Sequence, residues 1–197
     1  KDPNSRALKE SDAYPAMAER GYGWEKLMSE MFCQEYWAER GFKTFMARFH
    51  NVYGSHGTWD GGREKAPAAI CRKVIEAKDE GSDEITIWGD GHQTRSFMYI
   101  DDCTRGIDMI VHCEALIATP INLGSSRLIS INDLVSLAER IGGITLRRKY
   151  DPDAPKGVAG RNSDNTFIQR VLRWQPSTSL EEGLKKTYDW IEQQYKD

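Results

Sequence analysis

A run whose apolar residues recur every three or four positions leads straight into a run of strand-forming residues, and that succession restricts the chain to few architectures. Leu27, Met28, Met31, Phe32, Cys33 and Tyr36 place apolar groups on more than one side of a helix over residues 22–40, with Gly41 as its stop. Lys43–Phe49 then reads as a strand, ending in His50-Asn51-Val52-Tyr53-Gly54. Helix, short loop and strand in succession fit an alternating α/β fold. After a turn-rich loop over 55–63, Pro67–Lys78 reads as a helix with Ile70, Val74 and Ile75 on one face, and Ile85–Trp88 as a short strand. Gly89-Asp90-Gly91 reads as a hairpin turn into a second strand, Arg95–Ile100. Asp101 and Asp102 are placed to cap a helix reaching His112. Pro120–Gly124 is a further buried strand, Ser130 caps a helix over 132–141, and Leu180–Gln194 is the closing helix.

The 197 residues are 39% hydrophobic and 10% aromatic, enough to bury a sizeable core. A net charge of -3 supplies no global basic field, so neither nucleic acid nor a membrane surface is expected as a partner. No stretch approaches the ~20 apolar residues of a membrane span. Cys33, Cys71, Cys103 and Cys113 form no Cys-x-x-Cys or zinc spacing, so no metal site is expected. Scattered cysteines suit buried free thiols in a reducing compartment, and the expected location is cytoplasmic. The polar start, Lys1-Asp2-Pro3-Asn4-Ser5-Arg6, is not a signal peptide and lacks an initiator Met, so the native N-terminus is expected to lie further upstream.

Tyr22 and Lys26, in Tyr22-Gly23-Trp24-Glu25-Lys26, share one helix face a single turn apart. A free tyrosine has a pKa of about 10, too high for a base near neutral pH. A neighbouring ammonium lowers it, and the phenol then accepts a hydroxyl proton as hydride leaves the same carbon. Alone, such a pair arises readily by chance; its surroundings give it weight. Downstream stand Arg48-Phe49-His50-Asn51-Val52-Tyr53-Gly54, Gly89-Asp90-Gly91, Arg95-Ser96-Phe97-Met98-Tyr99-Ile100-Asp101-Asp102, Asn122-Leu123-Gly124-Ser125 and Leu172-Arg173-Trp174-Gln175-Pro176. In order and spacing these strings resemble the sugar-nucleotide members of the extended short-chain dehydrogenase/reductase family.

Three further strings narrow the resemblance to the GDP-mannose 3,5-epimerases within that family. They are Gly57–Pro67, Trp88–Phe97 and Gly160-Arg161-Asn162-Ser163-Asp164-Asn165. On residue type alone Arg63-Glu64-Lys65 is a solvated helix entrance, Lys73 a surface lysine and Asn51 a turn former. Arg95 alone is as readily a salt-bridge partner, and Arg161 an exposed residue of a polar loop. The resemblance implies other roles. Tyr22 and Lys26 become catalytic and NAD-contacting, and Lys65 becomes the general acid. Asn51, Glu64, Lys65, Ala66, Lys73, Gln93, Thr94, Arg95 and Arg161 become contacts to a GDP-mannose-type nucleotide sugar, the two arginines to its phosphates. An ammonium acting as an acid near pH 7 needs partial burial, which is therefore expected at Lys65.

The implied reaction oxidises the sugar at C4 with bound NAD, inverts C3 and C5 through the acidified 4-keto sugar, and returns the hydride. The implied fold is the C-terminal part of a Rossmann-type NAD-binding domain over residues 1–54, then a mainly nucleotide-sugar-binding domain over 55–197. The chain is expected to rejoin the Rossmann sheet near 97–124. A homodimer through the Tyr22–Arg40 helix is also implied. The glycine-rich pyrophosphate loop and the base cysteine of such enzymes match nothing in this sequence, and Gly89-x-Gly91 lacks the third glycine. Two other readings stay open: a 4-epimerase or 4,6-dehydratase acting on another nucleotide sugar, and a non-catalytic nucleotide-sugar-binding fragment.

Overall fold

The computed structural model describes residues 7–18, 20–154 and 160–196. The polar start Lys1–Arg6 lies outside the described residues. Strand β1 (Ala7–Leu8) precedes the long helix α1 (Arg20–Arg40), which stops where Gly41 adopts φ 64°. β2 (Met46–Phe49) and β3 (Val52–Tyr53) follow, then α2 (Ala66–Glu80), β4 (Glu84–Trp88), β5 (Thr94–Ser96) and β6 (Met98–Tyr99). The rest comprises α3 (Ile100–Val111), β7 (Pro120–Leu123), β8 (Leu128–Ser130), α4 (Ile131–Gly142), β9 (Arg147–Asp151), β10 (Gly160–Ser163), α5 (Thr166–Leu172) and α6 (Leu180–Lys196).

Helix limits follow local chemistry. α2 carries Pro67 in its first turn, where the missing N–H costs nothing, and ends at Gly81 in the left-handed region. In α4 the Ser130 hydroxyl accepts from the Asp133 amide, as its position predicts. Pairing is mostly parallel: β2 with β7, β3 with β6, and β4 with β9. A fourth sheet runs β1-β10-β5-β8, with only the β5–β8 pair antiparallel.

Two apolar cores result. Met98, Cys103, Ile110, Leu116, Ile121, Leu123, Ile168 and Trp174 form one, under β2 and β7. The other packs Cys71, Val74 and Ile75 of α2 against Leu134, Val135 and Ala138 of α4, Leu184, Tyr188 and Ile191 of α6, and Ile85 and Ile87 of β4. Each fully buried Leu or Ile here contributes roughly 2 kcal/mol. Tyr53, Phe97 and Tyr99 pack edge-on beside this second core, with Tyr53 5.7 Å from Tyr99 and 6.2 Å from Phe97 between ring centroids.

Several expectations need correction. Gly89-Asp90-Gly91 makes no hairpin, because β4 pairs with β9 while β5 pairs with β10 and β8. Both glycines sit at positive φ, and a Cβ on Gly91 would meet the Asn132 carboxamide at 2.2 Å. The turn therefore moves the chain from one sheet to another and seats the start of α4. The expected strand Arg95–Ile100 is split into β5 and β6, which belong to different sheets. Asp102 does not cap α3. It is buried and accepts from the Ser177 amide (3.0 Å), the Ser177 hydroxyl (3.0 Å) and the Thr178 amide (2.9 Å), tying the segment before α6 to α3. Arg161 lies in strand β10 rather than in a loop, although its side chain is exposed.

Candidate functional site

The parallel register of β10 against β5 sets Arg161 opposite Arg95, and Gly160 opposite Thr94. A Cβ on Gly160 would come within 2.4 Å of Thr94 Oγ1, so glycine permits this close pairing. Arg95 Nη1 donates to the Thr94 carbonyl at 2.7 Å. Burial, and then the like charge of Arg161, push the Arg95 guanidinium below its ordinary value. Like charges on facing strand positions oppose each other, and an anion bridging them removes that cost. Gln93 flanks the pair; its amide donates to the Trp88 carbonyl at 2.8 Å, and its own carbonyl accepts from Ile131.

Asn51 joins this group through the backbone. Its side-chain amide donates to the carbonyl of Ser96, the residue after Arg95, at 3.1 Å. Its φ of 39° is left-handed for a non-glycine residue, and the Met98 amide bonds to its carbonyl at 3.1 Å. Strain of this kind persists only where neighbouring contacts over-determine it. The structure thus brings Asn51, Gln93, Thr94, Arg95 and Arg161 to one place.

Glu64, Lys65 and Ala66 form a separate corner, where the loop after β3 enters α2. Lys65 is the residue before the first turn, and its carbonyl accepts from the Ala69 amide at 3.0 Å. Its side chain is exposed, contrary to the partial burial expected for an acid, because the described residues place nothing over it. Glu64 is gripped by Arg72, whose Nη2 stands 3.1 Å from Glu64 Oε1. Lys73 turns toward β4 and donates to the Thr86 carbonyl at 2.9 Å; burial pulls its ammonium below the usual lysine value. Arg72 escaped the sequence reading, since an arginine within an amphipathic helix looks like an ordinary surface residue.

Tyr22 and Lys26 occupy one face of α1, with Lys26 Nζ 5.3 Å from the Tyr22 ring centroid and 3.0 Å from Glu25 Oε1. The hydrogen bond that Lys26 donates to Glu25, and then the charge of Glu25, raise the Lys26 pKa. Tyr22 is 73% exposed. Among the described residues neither side chain bonds to Asn51, Lys65 or the arginine pair. α1 is instead docked by Arg48, which meets Glu30 through Nε (2.8 Å) and Nη2 (2.6 Å) and donates from Nη1 to the Glu10 carbonyl (2.8 Å). A phenol and an ammonium open on one helix face fit the nicotinamide-ribose end of NAD. No glycine-rich loop in the sequence offers a cradle for its pyrophosphate. Among the described residues no three potential metal ligands cluster, and no helix is long and apolar enough to cross a membrane.

A family model described as the NAD dependent epimerase/dehydratase family matches residues 2–124. The chain belongs to this family. It is 44% identical over 188 residues to GDP-mannose 3,5-epimerase 1 of Oryza sativa subsp. indica, and to the same extent to GDP-mannose 3,5-epimerase of Arabidopsis thaliana. Each match takes in 95% of this chain and 48% of the relative, so the chain spans about half the length of these curated relatives. Among solved structures it resembles UDP-glucuronic acid 4-epimerase from Bacillus cereus in complex with UDP-glucuronic acid and NAD. That match has a TM-score of 0.73 and 31% identity, covering 88% of this chain and 53% of the other. The Rossmann-type α/β reading of the sequence agrees with these likenesses.

Proposed function

We propose that this chain is the catalytic and substrate-gripping portion of an NAD-dependent epimerase that inverts GDP-mannose at C3 and C5 to give GDP-L-galactose. The observation that carries the reading is the Arg95–Arg161 register pair beside Asn51, two cationic side chains that suit a diphosphate. The 44% identity to GDP-mannose 3,5-epimerases supports the choice of sugar nucleotide.

In this reading Arg95 and Arg161 neutralise the diphosphate, and Gln93, Thr94 and Asn51 orient the nucleotide sugar. NAD, which Tyr22 and Lys26 would hold at its nicotinamide-ribose end, would supply reversible hydride acceptance at C4. Tyr22 takes the C4 hydroxyl proton, with the Lys26 ammonium beside it on the same helix face. Lys65 delivers a proton to the sugar carbon from the face opposite its removal, which inverts the centre. The reaction requires a base and a pyrophosphate-binding loop that are not among these 197 residues. The test is to incubate the full-length protein with NAD and GDP-mannose in deuterium oxide. Deuterium at sugar C3 and C5 is expected; exchange at neither carbon overturns the reading.

We also infer a homodimer through α1, whose Met28, Met31, Phe32 and Tyr36 are exposed. Light scattering showing a monomer at micromolar concentration counts against it. The free thiols support a cytoplasmic location.

A further inference from the structure

The loop that presents Glu64 and Lys65 has little of its own to hold it still. Gly61 and Gly62 precede them at φ 85° and 81°, and nothing lies within 4 Å of where a Cβ would stand on either. Such a segment wanders unless it is fastened from outside.

The fastening is Arg72, in the second turn of α2. Its Nε donates to the Trp59 carbonyl at 3.2 Å and lies 3.7 Å from Asp60 Oδ1. Its Nη1 meets Glu76 Oε1 at 2.7 Å, and its Nη2 meets Glu64 Oε1 at 3.1 Å. All three guanidinium nitrogens are thus engaged, and the side chain is only 18% exposed. Arg72 is therefore saturated, unlike an arginine poised for an anion. Only a planar fork reaches the loop backbone, the loop carboxylate and the helix carboxylate together; a lysine ammonium is a single point of charge.

At the other end, the Glu64 side chain is 7% exposed, and its second oxygen, Oε2, is buried with no hydrogen-bond partner. A buried carboxylate oxygen without a donor costs stability, so the bond from Arg72 to the other oxygen matters the more. Burial works to raise the Glu64 pKa, but the Arg72 guanidinium helps to hold it below the ordinary carboxylate value.

We propose that Arg72 is a positioning residue. It clamps Trp59–Glu64 onto α2, so that Glu64 and Lys65 keep one fixed place at the helix entrance. This role rests on the sugar-binding reading of the loop given above. Arg72 touches neither sugar nor cofactor and acts through Glu64.

The test compares wild type, Arg72→Met and Arg72→Lys of the full chain. Calorimetry measures affinity for GDP-mannose and for GDP, which lacks the sugar, and amide hydrogen exchange is followed over 59–66. Losing the clamp is expected to weaken GDP-mannose about tenfold or more in Arg72→Met while GDP stays within about twofold. Exchange over 59–66 rises while α4 and α6 keep their protection. Arg72→Lys restores the charge without the fork and recovers only part of the affinity. Equal weakening of both ligands, full rescue by lysine, or unchanged loop exchange each overturns the role. If wild type binds GDP-mannose no better than GDP, the sugar-binding reading fails and the Glu64 part falls with it. The exchange measurement then still decides whether Arg72 clamps the loop.

Discussion

Arg95 and Arg161 are register partners on adjacent parallel strands, two guanidinium-bearing residues side by side with Arg95 the more buried. Replacing Arg161 by Ala should therefore act in opposite directions with and without ligand. Losing one charged hydrogen-bonding group weakens GDP binding by about 1.5–3 kcal/mol, roughly ten- to a hundredfold. Removing the like-charge neighbour leaves the free protein as stable as before or more stable, by up to about 1 kcal/mol. Calorimetric titration at low and high salt, with melting curves of the free protein, reads both effects.

Gly183 lies where α6 crosses the Tyr53–Tyr99 pair. A Cβ there would stand 2.4 Å from Tyr53 Oη and 2.9 Å from the Tyr99 ring. Neither buried ring has room to withdraw. Gly183→Ala should cost about 1–3 kcal/mol by overpacking, despite the better helix propensity of alanine. Urea unfolding with an unchanged slope checks it.

Asp102 accepts three hydrogen bonds from Ser177 and Thr178 and one from Arg105 at 3.0 Å. Burial alone would raise its pKa, but the Ser177 and Thr178 donors hold it below the ordinary carboxylate value. A folded pKa below the unfolded one gives stability that is complete above the unfolded pKa, about 3.9, and fades as pH falls through the folded value. Asp102→Asn should lower stability near neutral pH and flatten its fall in acid. Asp102→Ala, which strands two amides, should cost about 3–5 kcal/mol. Denaturation midpoints between pH 7 and pH 3 separate the variants.

Tyr22→Phe keeps the ring over Lys26 and removes only the proton acceptor. In the full-length protein kcat should fall by about a hundred- to ten-thousandfold with GDP affinity unchanged. Steady-state rates alongside GDP titration check this, and an equal loss of binding would assign the hydroxyl a substrate-holding role.

The features legible in the sequence are those written in local chemistry. Repeating apolar positions marked α1 and α2, and Ser130 marked the start of α4. Ile121 and Leu123 marked a buried strand. What stayed hidden depends on partners distant in the chain. β9, Arg147-Arg148-Lys149-Tyr150-Asp151, is so polar that only its pairing with β4 makes it a strand. Arg161 read as a loop residue because Gly160-Arg161-Asn162-Ser163 contains no β-former, yet β5 recruits it into the sheet. Arg72 shows no pattern at all, since its partners Trp59 and Glu64 belong to a loop whose course the residues themselves leave open.

The β1-β10-β5-β8 sheet also bears on the order in which the protein matures. Its strands come from near the start, the middle and the last quarter of the described chain, so its contacts are highly non-local and close slowly. α2, β4 and the turn after β4 can consolidate while Arg161 is still far from Arg95. The Arg95–Arg161 pair is then among the last features to form, and on the proposed reading a nucleotide would not template the early steps but would act as a latch, slowing the reopening of a sheet that has already closed.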